Sequence, residues 1–517
     1  MTMDKTPQLR ENESPEALAD APAGGERPPD EPGPEGDPAA IPPDTFERES
    51  AELLEELPRG GLGEFSALAA AAVQEAQESP ESPLLPRPPR TLADLGLSKA
   101  FLTDLALKIL HYSGTPSVSQ LTRRLGLAPN IMQQLISALS EAHLVEVLSQ
   151  SDLYTGNYRY RLSERGHARV AEALERSRYA GPAPVTAEQY SEVMQRMLAQ
   201  PQDPGRARIK SILNELVLSA EVADSIGRAL YSGKAAIFFG ASGNGKTVIL
   251  ERFASNLDGF FLVPYAIYAY GQVIRVFDQS VHEPIDGEER AAQMGEYPKM
   301  DTRWVAVKRP AIVLGAEMER GSLDLAYDPQ SRFYQAPPHI KAQGGVLVVD
   351  DFGRQAMTAS ELMTRWLIPL ERGWDTLTLV TGEKLTVPFR VQLLFGTNLP
   401  VKKAADDALL RRVLYKVEVP SPRADEFMEI LRQTCRHKHV LVEDGALEYV
   451  VERLYSHPDI TPRGSYARDL LGMLVESAAF DGREPVLARE SFDRVFKLFV
   501  AQESEEVEKH RDGDGQV

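Results

Sequence analysis

The chain has 517 residues, 43% of them hydrophobic, one cysteine and a formal net charge of −19, which leaves room for two to four domains with ordinary cores. The lone Cys435 excludes an internal disulfide framework and fits a reducing cytosol. The opening MTMDKTPQLRENESPE lacks an apolar signal core and no run of about 18 uncharged apolar residues occurs, so neither export nor membrane spanning is expected and the expected location is cytoplasmic.

Residues 1–92 are rich in Pro, Glu, Ala and Gly and strongly acidic, a composition that cannot bury enough apolar surface to offset the entropy of ordering. They read as a disordered tail. An amphipathic stretch from about Phe46 to Glu78 interrupts it, either a partner-binding helix or a transient one.

Residues 93–180 read as a winged helix. Leu102–Leu110 gives a first amphipathic helix, Ser117–Gln120 starts a second that ends near Gly126, and the third, Asn130–His143, buries Ile131, Leu135, Ile136 and Leu139. Strands at Leu144–Leu148 and Tyr158–Leu162 flank a wing, SQSDLYTGN, and Glu164–Arg178 closes the unit. Such a unit suggests DNA, yet its third helix holds no Lys or Arg to neutralise phosphates. Gln133 and Gln134 could read adenine edges, and Arg123, Arg124, Arg159 and Arg161 could touch phosphates. Nucleic acid is therefore possible, and protein docking is the favoured use. Residues 181–208 follow as a linker, rigid where YAGPAPVTAEQY carries its two prolines.

The segment from 209 to 420 carries the chemistry. Ala235–Phe239 is a short apolar run suited to a buried parallel strand, and GASGNGKT at Gly240–Thr247 fills the phosphate-binding pattern GxxxxGK[ST] before Val248–Leu250 opens a helix. Gly240, Gly243 and Gly245 let the backbone turn its N–H groups onto phosphates at the helix N-terminus. Lys246 would reach the β- and γ-phosphates, and Thr247 would join Mg²⁺. Ser242, Asn244 and Val248 complete the nucleotide-binding set. Further on, GGVLVVDDFGR at Gly344–Arg354 places Asp350 at a strand end, where it would hold Mg²⁺, and Asp351 where it would polarise the attacking water. Val391–Thr397 is another strand, whose end puts Asn398 within reach of that water. Arg411 and Arg412 lie shortly before one more strand.

In the order and spacing of these motifs the chain resembles the AAA+ ATPases over about residues 209–500. The resemblance implies an α/β fold: a P-loop core with a parallel sheet, an α-helical lid at 421–500, and the winged helix and acidic tail ahead of them, with a second acidic tail at 501–517. It also implies roles: Asn398 as sensor 1, Arg411 or Arg412 as the finger that completes a neighbouring subunit's site, and Arg468 in SYARDLL as sensor 2. DDFGR is similar to the DEINR signature of MoxR-like members. The implied cofactors are ATP and Mg²⁺, and the implied assembly is a ring, usually a hexamer, that remodels a macromolecular client, here taken to be a protein.

One departure concerns the second acid of the Asp-Asp pair, usually Glu and here Asp351, one methylene shorter. Positioning errors of about an ångström can cost ~100-fold in rate, so slow hydrolysis, or a nucleotide-controlled switch, is an alternative. The stretch from Val263 to Gly344 is longer than a plain P-loop core needs. Within it, Tyr268–Gly271 reads either as a client-gripping loop or as corner packing. Leu377–Phe389 reads as a hairpin turning at Gly382. Cys435, His437 and His439 have awkward spacing for zinc and read as surface lid residues.

Overall fold

The computed structural model describes residues 85–148, 158–199, 205–285, 300–404, 407–458 and 460–513. The chain divides into two units, Met1–Arg59 and Gly60–Val517. The first lies outside the described residues, as do the amphipathic stretch near Phe46–Glu78, the expected wing at 149–157 and the acidic DGEER at 286–290.

The second unit begins with a helical module: α1 (Lys99–Ser113), α2 (Val118–Leu125), α3 (Pro129–Glu141), β1 (Val145–Leu148), β2 (Arg159–Leu162) and α4 (Glu164–Arg176). Side chains set its helix starts. Ser98 accepts from the Phe101 N–H at 3.2 Å, and Ser117 and Gln120 form a reciprocal capping box at the head of α2. β1 and β2 pair antiparallel, with Val145 opposite Leu162. Leu102, Leu121, Leu135 and Leu162 share the core of the module.

The expected linker is instead woven into the fold. The Tyr179 hydroxyl donates to Pro182 O at 2.7 Å, and Ala183 N donates to Leu125 O at 2.8 Å. β3 (Val185–Thr186) then pairs parallel with β6 (Ala266–Ala269), and α5 (Ala187–Ala199) follows. A two-residue strand leaves no local pattern in a sequence; its partner lies some 80 residues away.

After α6 (Arg206–Asn214) and α7 (Ala220–Tyr231) comes the central sheet. Its strands are β4 (Ala236–Phe239), β9 (Ala311–Leu314), β12 (Val346–Val349), β15 (Gln392–Thr397) and β16 (Tyr415–Glu418), ordered β16-β4-β15-β12-β9 and parallel throughout. The fold is thus mixed α/β, with helices around a parallel sheet. Register aligns the strand ends. Phe239 stands beside Thr397, and Val349 beside both Phe395 and Leu314, so the residues that come after β4, β12 and β15 emerge along one edge.

Between α8 (Lys246–Ala254) and β9 the chain makes a second layer. β5 (Phe260–Pro264) does not enter the central sheet; it pairs antiparallel with β8 (Trp304–Lys308), and the sheet edge is left to β9. β6 and β7 (Gln272–Arg275) form a tight hairpin through Tyr270 and Gly271, both with positive φ as such two-residue turns require. They join β3, β10 (Ala326–Asp328) and β11 (Phe333–Gln335) in a five-stranded sheet. Tyr268 packs its ring on Phe101 of α1 at 4.5 Å, so this corner holds the helical module in place. The buried pair Arg303–Asp301, 2.8 Å apart, adds a bond from Arg303 to Pro184 O.

α9 (Ala359–Arg372) leads to the hairpin of β13 (Trp374–Thr378) and β14 (Lys384–Pro388), whose Leu377, Leu385 and Val387 pack into the inserted layer's core. α10 (Asp407–Arg412) precedes β16. The region expected to be the lid comprises α11 (Ala424–His437), α12 (Ala446–Tyr455), α13 (Ser465–Phe480) and α14 (Arg489–Gly513) around Phe427, Leu454, Leu471 and Phe496. α14 runs well past 501, where composition predicts a disordered tail; AQESEEVEKHR lacks any Gly or Pro to stop it. Likewise Leu85 is already buried, ahead of the expected boundary at 92. Cys435, expected on the surface, is instead buried on the apolar face of α11 among the core residues of α11–α14, and burial pushes its thiol up to about 11. Among the described residues no helix is long and apolar enough to cross a membrane.

Candidate nucleotide site

The loop after β4 turns through positive φ at Gly240, Gly243 and Gly245. At Gly240 any side chain would collide, since a Cβ there would lie 2.2 Å from Val419 O. At Gly243 it would meet Ser465 Oγ at 2.4 Å. Glycine is therefore required for backbone approach on both sides of the loop.

Lys246, at the start of α8, is 5% exposed. Its Nζ donates to Gly240 O at 3.0 Å, Ala241 O at 2.9 Å and Asn398 Oδ1 at 2.6 Å. Burial lowers its pKa, and Asp350 and Asp351 work against that shift. The Thr247 hydroxyl donates to Asp350 Oδ2 at 2.7 Å. Asn398 Nδ2 donates to Asp351 Oδ1 at 2.9 Å. Two adjacent hydrogen-bonded groups, Lys246–Asn398–Asp351 and Thr247–Asp350, thus meet where the start of α8 faces the ends of β12 and β15. Ser242 and Val248 are exposed beside it.

The lid touches the loop through Ser465, whose N–H donates to Gly243 O at 2.8 Å. A cavity between them is lined by Val217, Leu218, Asn244, Pro420, Ile430 and Gly464. The Asn244 amide donates weakly to Val419 O at 3.4 Å and Ser421 Oγ at 3.3 Å. Ser219 and Glu426 add two further polar groups to its lining.

Arg468 is not part of this set. It sits one turn into α13, away from the face that buries Tyr466, Ala467, Leu470 and Leu471, and its Nε donates to Asp469 at 3.1 Å with 71% of its side chain exposed. Arg463 is the lid arginine beside the loop: its Cβ lies 3.6 Å from where a Cβ on Gly243 would stand, and its guanidinium rests over the Tyr466 ring. The Pro-Arg-Gly at 462–464, directly before the helix, is the signal that could have marked it. Arg412 pairs with Glu371 of α9 at 3.2 Å and Arg411 is exposed. No bond joins either of them to the loop or to the two carboxylates among the described residues.

A family model described as a domain of unknown function (DUF8689) matches residues 423–498, within the lid. No curated protein matches the chain. Among solved structures the fold is similar to the Thermotoga maritima RuvB Holliday junction branch migration motor, at 14% identity over 57% of this chain and 69% of that one, TM-score 0.30. It is also similar to NtrX from Brucella abortus in complex with ADP, at 12% identity over 63% and 65%, TM-score 0.33.

Proposed function

We propose that the chain is a Mg²⁺-dependent ATP hydrolase of the AAA+ class that acts on a protein client as an oligomeric ring. The observation that carries this is the pair of adjacent hydrogen-bonded groups at the sheet edge, Lys246–Asn398–Asp351 and Thr247–Asp350. Loop N–H groups and Lys246 would hold the β- and γ-phosphates. Asp351 would take a proton from a water oriented with Asn398 as that water bonds to the γ-phosphorus. The bond to the β,γ-bridging oxygen then breaks, its electron pair leaving with ADP, and the proton passes on to phosphate. The Thr247 hydroxyl and Asp350 carboxylate are adjacent hard oxygen donors that fit magnesium, and the ion when bound would offset charge on the phosphate oxygens. Val217, Leu218 and Ile430 would flank the base. Arg463 and Ser465 would let the lid respond to the γ-phosphate, and Arg411 or Arg412 would serve a neighbouring subunit.

Three helices and an antiparallel ribbon support reading the N-terminal module as a winged helix. Docking of protein rather than DNA is supported by Arg161 being paired to Glu146 at 2.8 Å and Arg124 being bonded to Ser113. Val380, 77% exposed at the tip of the β13–β14 hairpin, is a candidate client contact. Calorimetry of ATP with Mg²⁺ tests the reading: wild type should bind, and Lys246→Ala should not. Equal affinity in the two would remove it.

A further inference from the structure

We propose that Gln355 is a positioning residue that holds Asp351 in the geometry needed to accept the proton of the attacking water. The inference rests on the ATP-hydrolase reading and adds to it a residue outside the nucleotide motifs.

The Asp350–Gln355 turn is held at Phe352 by β15, whose Thr397 hydroxyl donates to Phe352 O at 2.8 Å and whose Gly396 O accepts from Phe352 N at 2.7 Å, and is clasped on either side of Phe352 by the Gln355 side chain. Gln355 is 8% exposed, and its carboxamide is used at both ends. Nε2 donates to Asp350 O at 2.9 Å and to Asp351 O at 3.2 Å, while Oε1 accepts from Gly353 N at 2.8 Å. Its polar partners are therefore main-chain groups of three residues on the turn.

The backbone it clasps lies in a sparsely populated conformation. Asp351 has φ +48°, in the left-handed region, and Gly353 has φ +96°. Aspartate tolerates that region better than most residues, but still prefers others. A left-handed residue at a strand end redirects its Cα–Cβ bond, and here that direction brings Asp351 Oδ1 to Asn398 Nδ2. Relaxed to an ordinary conformation, the same carboxylate would swing off Asn398. A short acid has little slack to recover the distance. Asp351 is one methylene shorter than glutamate, so a backbone shift passes almost undamped to the carboxylate, where an ångström is worth ~100-fold in rate.

The chemistry of the clasp calls for an amide. Glutamate at 355 would set a carboxylate against two carbonyl oxygens, and leucine or methionine would fill the volume while leaving buried polar groups unpaired. No bond joins Gln355 to Lys246, Thr247 or a loop glycine among the described residues, and Asp350, which it touches only at the main-chain carbonyl, is also held to β9 through its N–H on Leu314 O at 2.8 Å, so nucleotide binding should survive its loss.

The test is steady-state ATP hydrolysis by the full chain with Mg²⁺, comparing wild type, Gln355→Leu, Asp351→Glu and the double variant, with ATP binding measured separately by calorimetry. Gln355→Leu is expected to lower kcat roughly 10- to 100-fold with KM and ATP affinity within about twofold, the signature of an interaction needed only in the transition state. The longer carboxylate of Asp351→Glu should lose less on Gln355→Leu than Asp351 does, which a merely structural prop would not produce. Should Gln355→Leu not fold, Gln355→Met is read in its place. An unchanged kcat in a folded variant, or equal losses in kcat and affinity, would overturn the inference and leave ATP hydrolysis standing. Absence of turnover in wild type would overturn hydrolysis itself, so the two failures are distinct.

Discussion

The Asn398 carboxamide stands between Lys246 and Asp351, accepting from Lys246 Nζ at 2.6 Å through Oδ1 and donating to Asp351 Oδ1 at 2.9 Å through Nδ2. One end faces the cation and the other the carboxylate, so an asparagine fits where aspartate or lysine would repel one neighbour. Asn398→Ala should therefore cost turnover more than binding. A fall in kcat on the order of 100-fold, with ATP affinity within threefold, is the expected outcome of kinetics and calorimetry together. Retention of full kcat would show that Asp351 needs no such partner.

Much of the central sheet is legible in the sequence because its strands are continuous apolar runs, as in VLVV at β12, bounded by loop residues. The candidate site is legible for the same reason: Asp350, Asp351 and Asn398 directly follow β12 and β15, Lys246 and Thr247 follow β4 after its glycine loop, and parallel register brings those strand ends together. The illegible parts are nonlocal. Val185–Thr186 becomes a strand only because Ile267–Tyr268 is there to pair with it, and the apparent linker is fixed by Leu125 O and Arg303. Arg468 departs from its expected place because the start of α13 at Ser465, which turns residue 468 outward, is set by contact with Gly243 rather than by a local cap.

Acid should weaken the fold through His282. The ring is buried, its Nδ1 accepts from Asp278 N at 2.9 Å and its Nε2 bonds Lys341 O at 2.8 Å, an arrangement satisfied by the neutral Nε2–H tautomer. Burial holds its pKa below the ordinary 6.5. An unfolded chain thus takes up a proton below about pH 6.5 that the folded chain refuses, and stability falls as pH drops through that value towards the depressed folded pKa. The loss is at most about 1.4 kcal/mol per pH unit. Urea midpoints at pH 7 and 5.5 should separate less in His282→Gln than in wild type. Identical separations would contradict the assignment.

Arg411 is exposed and Arg412 lies beside it just before β16, where the AAA+ resemblance puts the residue that completes a neighbouring subunit's site, so at least one is expected to act on a neighbour. ATPase activity per mole should then rise with protein concentration, and Arg411→Ala, Arg412→Ala or both should lower it about tenfold or more without weakening ATP binding. A monomer by light scattering with full specific activity would be incompatible with this.

For the helical module, weak DNA binding is expected. α3 contains no Lys or Arg, and Arg161 and Arg124 already have partners, so few phosphates could be neutralised. The full chain should bind random duplex DNA no tighter than about 10⁻⁴ M at physiological salt. Submicromolar, steeply salt-dependent anisotropy curves, weakened by Arg159→Ala, would favour a DNA-acting protein over a protein-docking one.

The most direct measurement is Mg²⁺-dependent phosphate release from ATP by wild type beside Asp351→Asn, with bound nucleotide quantified in each. Wild type should release phosphate, and Asp351→Asn should hold ATP while releasing at least about 100-fold less. Equal release from the two, or none from wild type at any protein concentration, would contradict hydrolysis through Asp351.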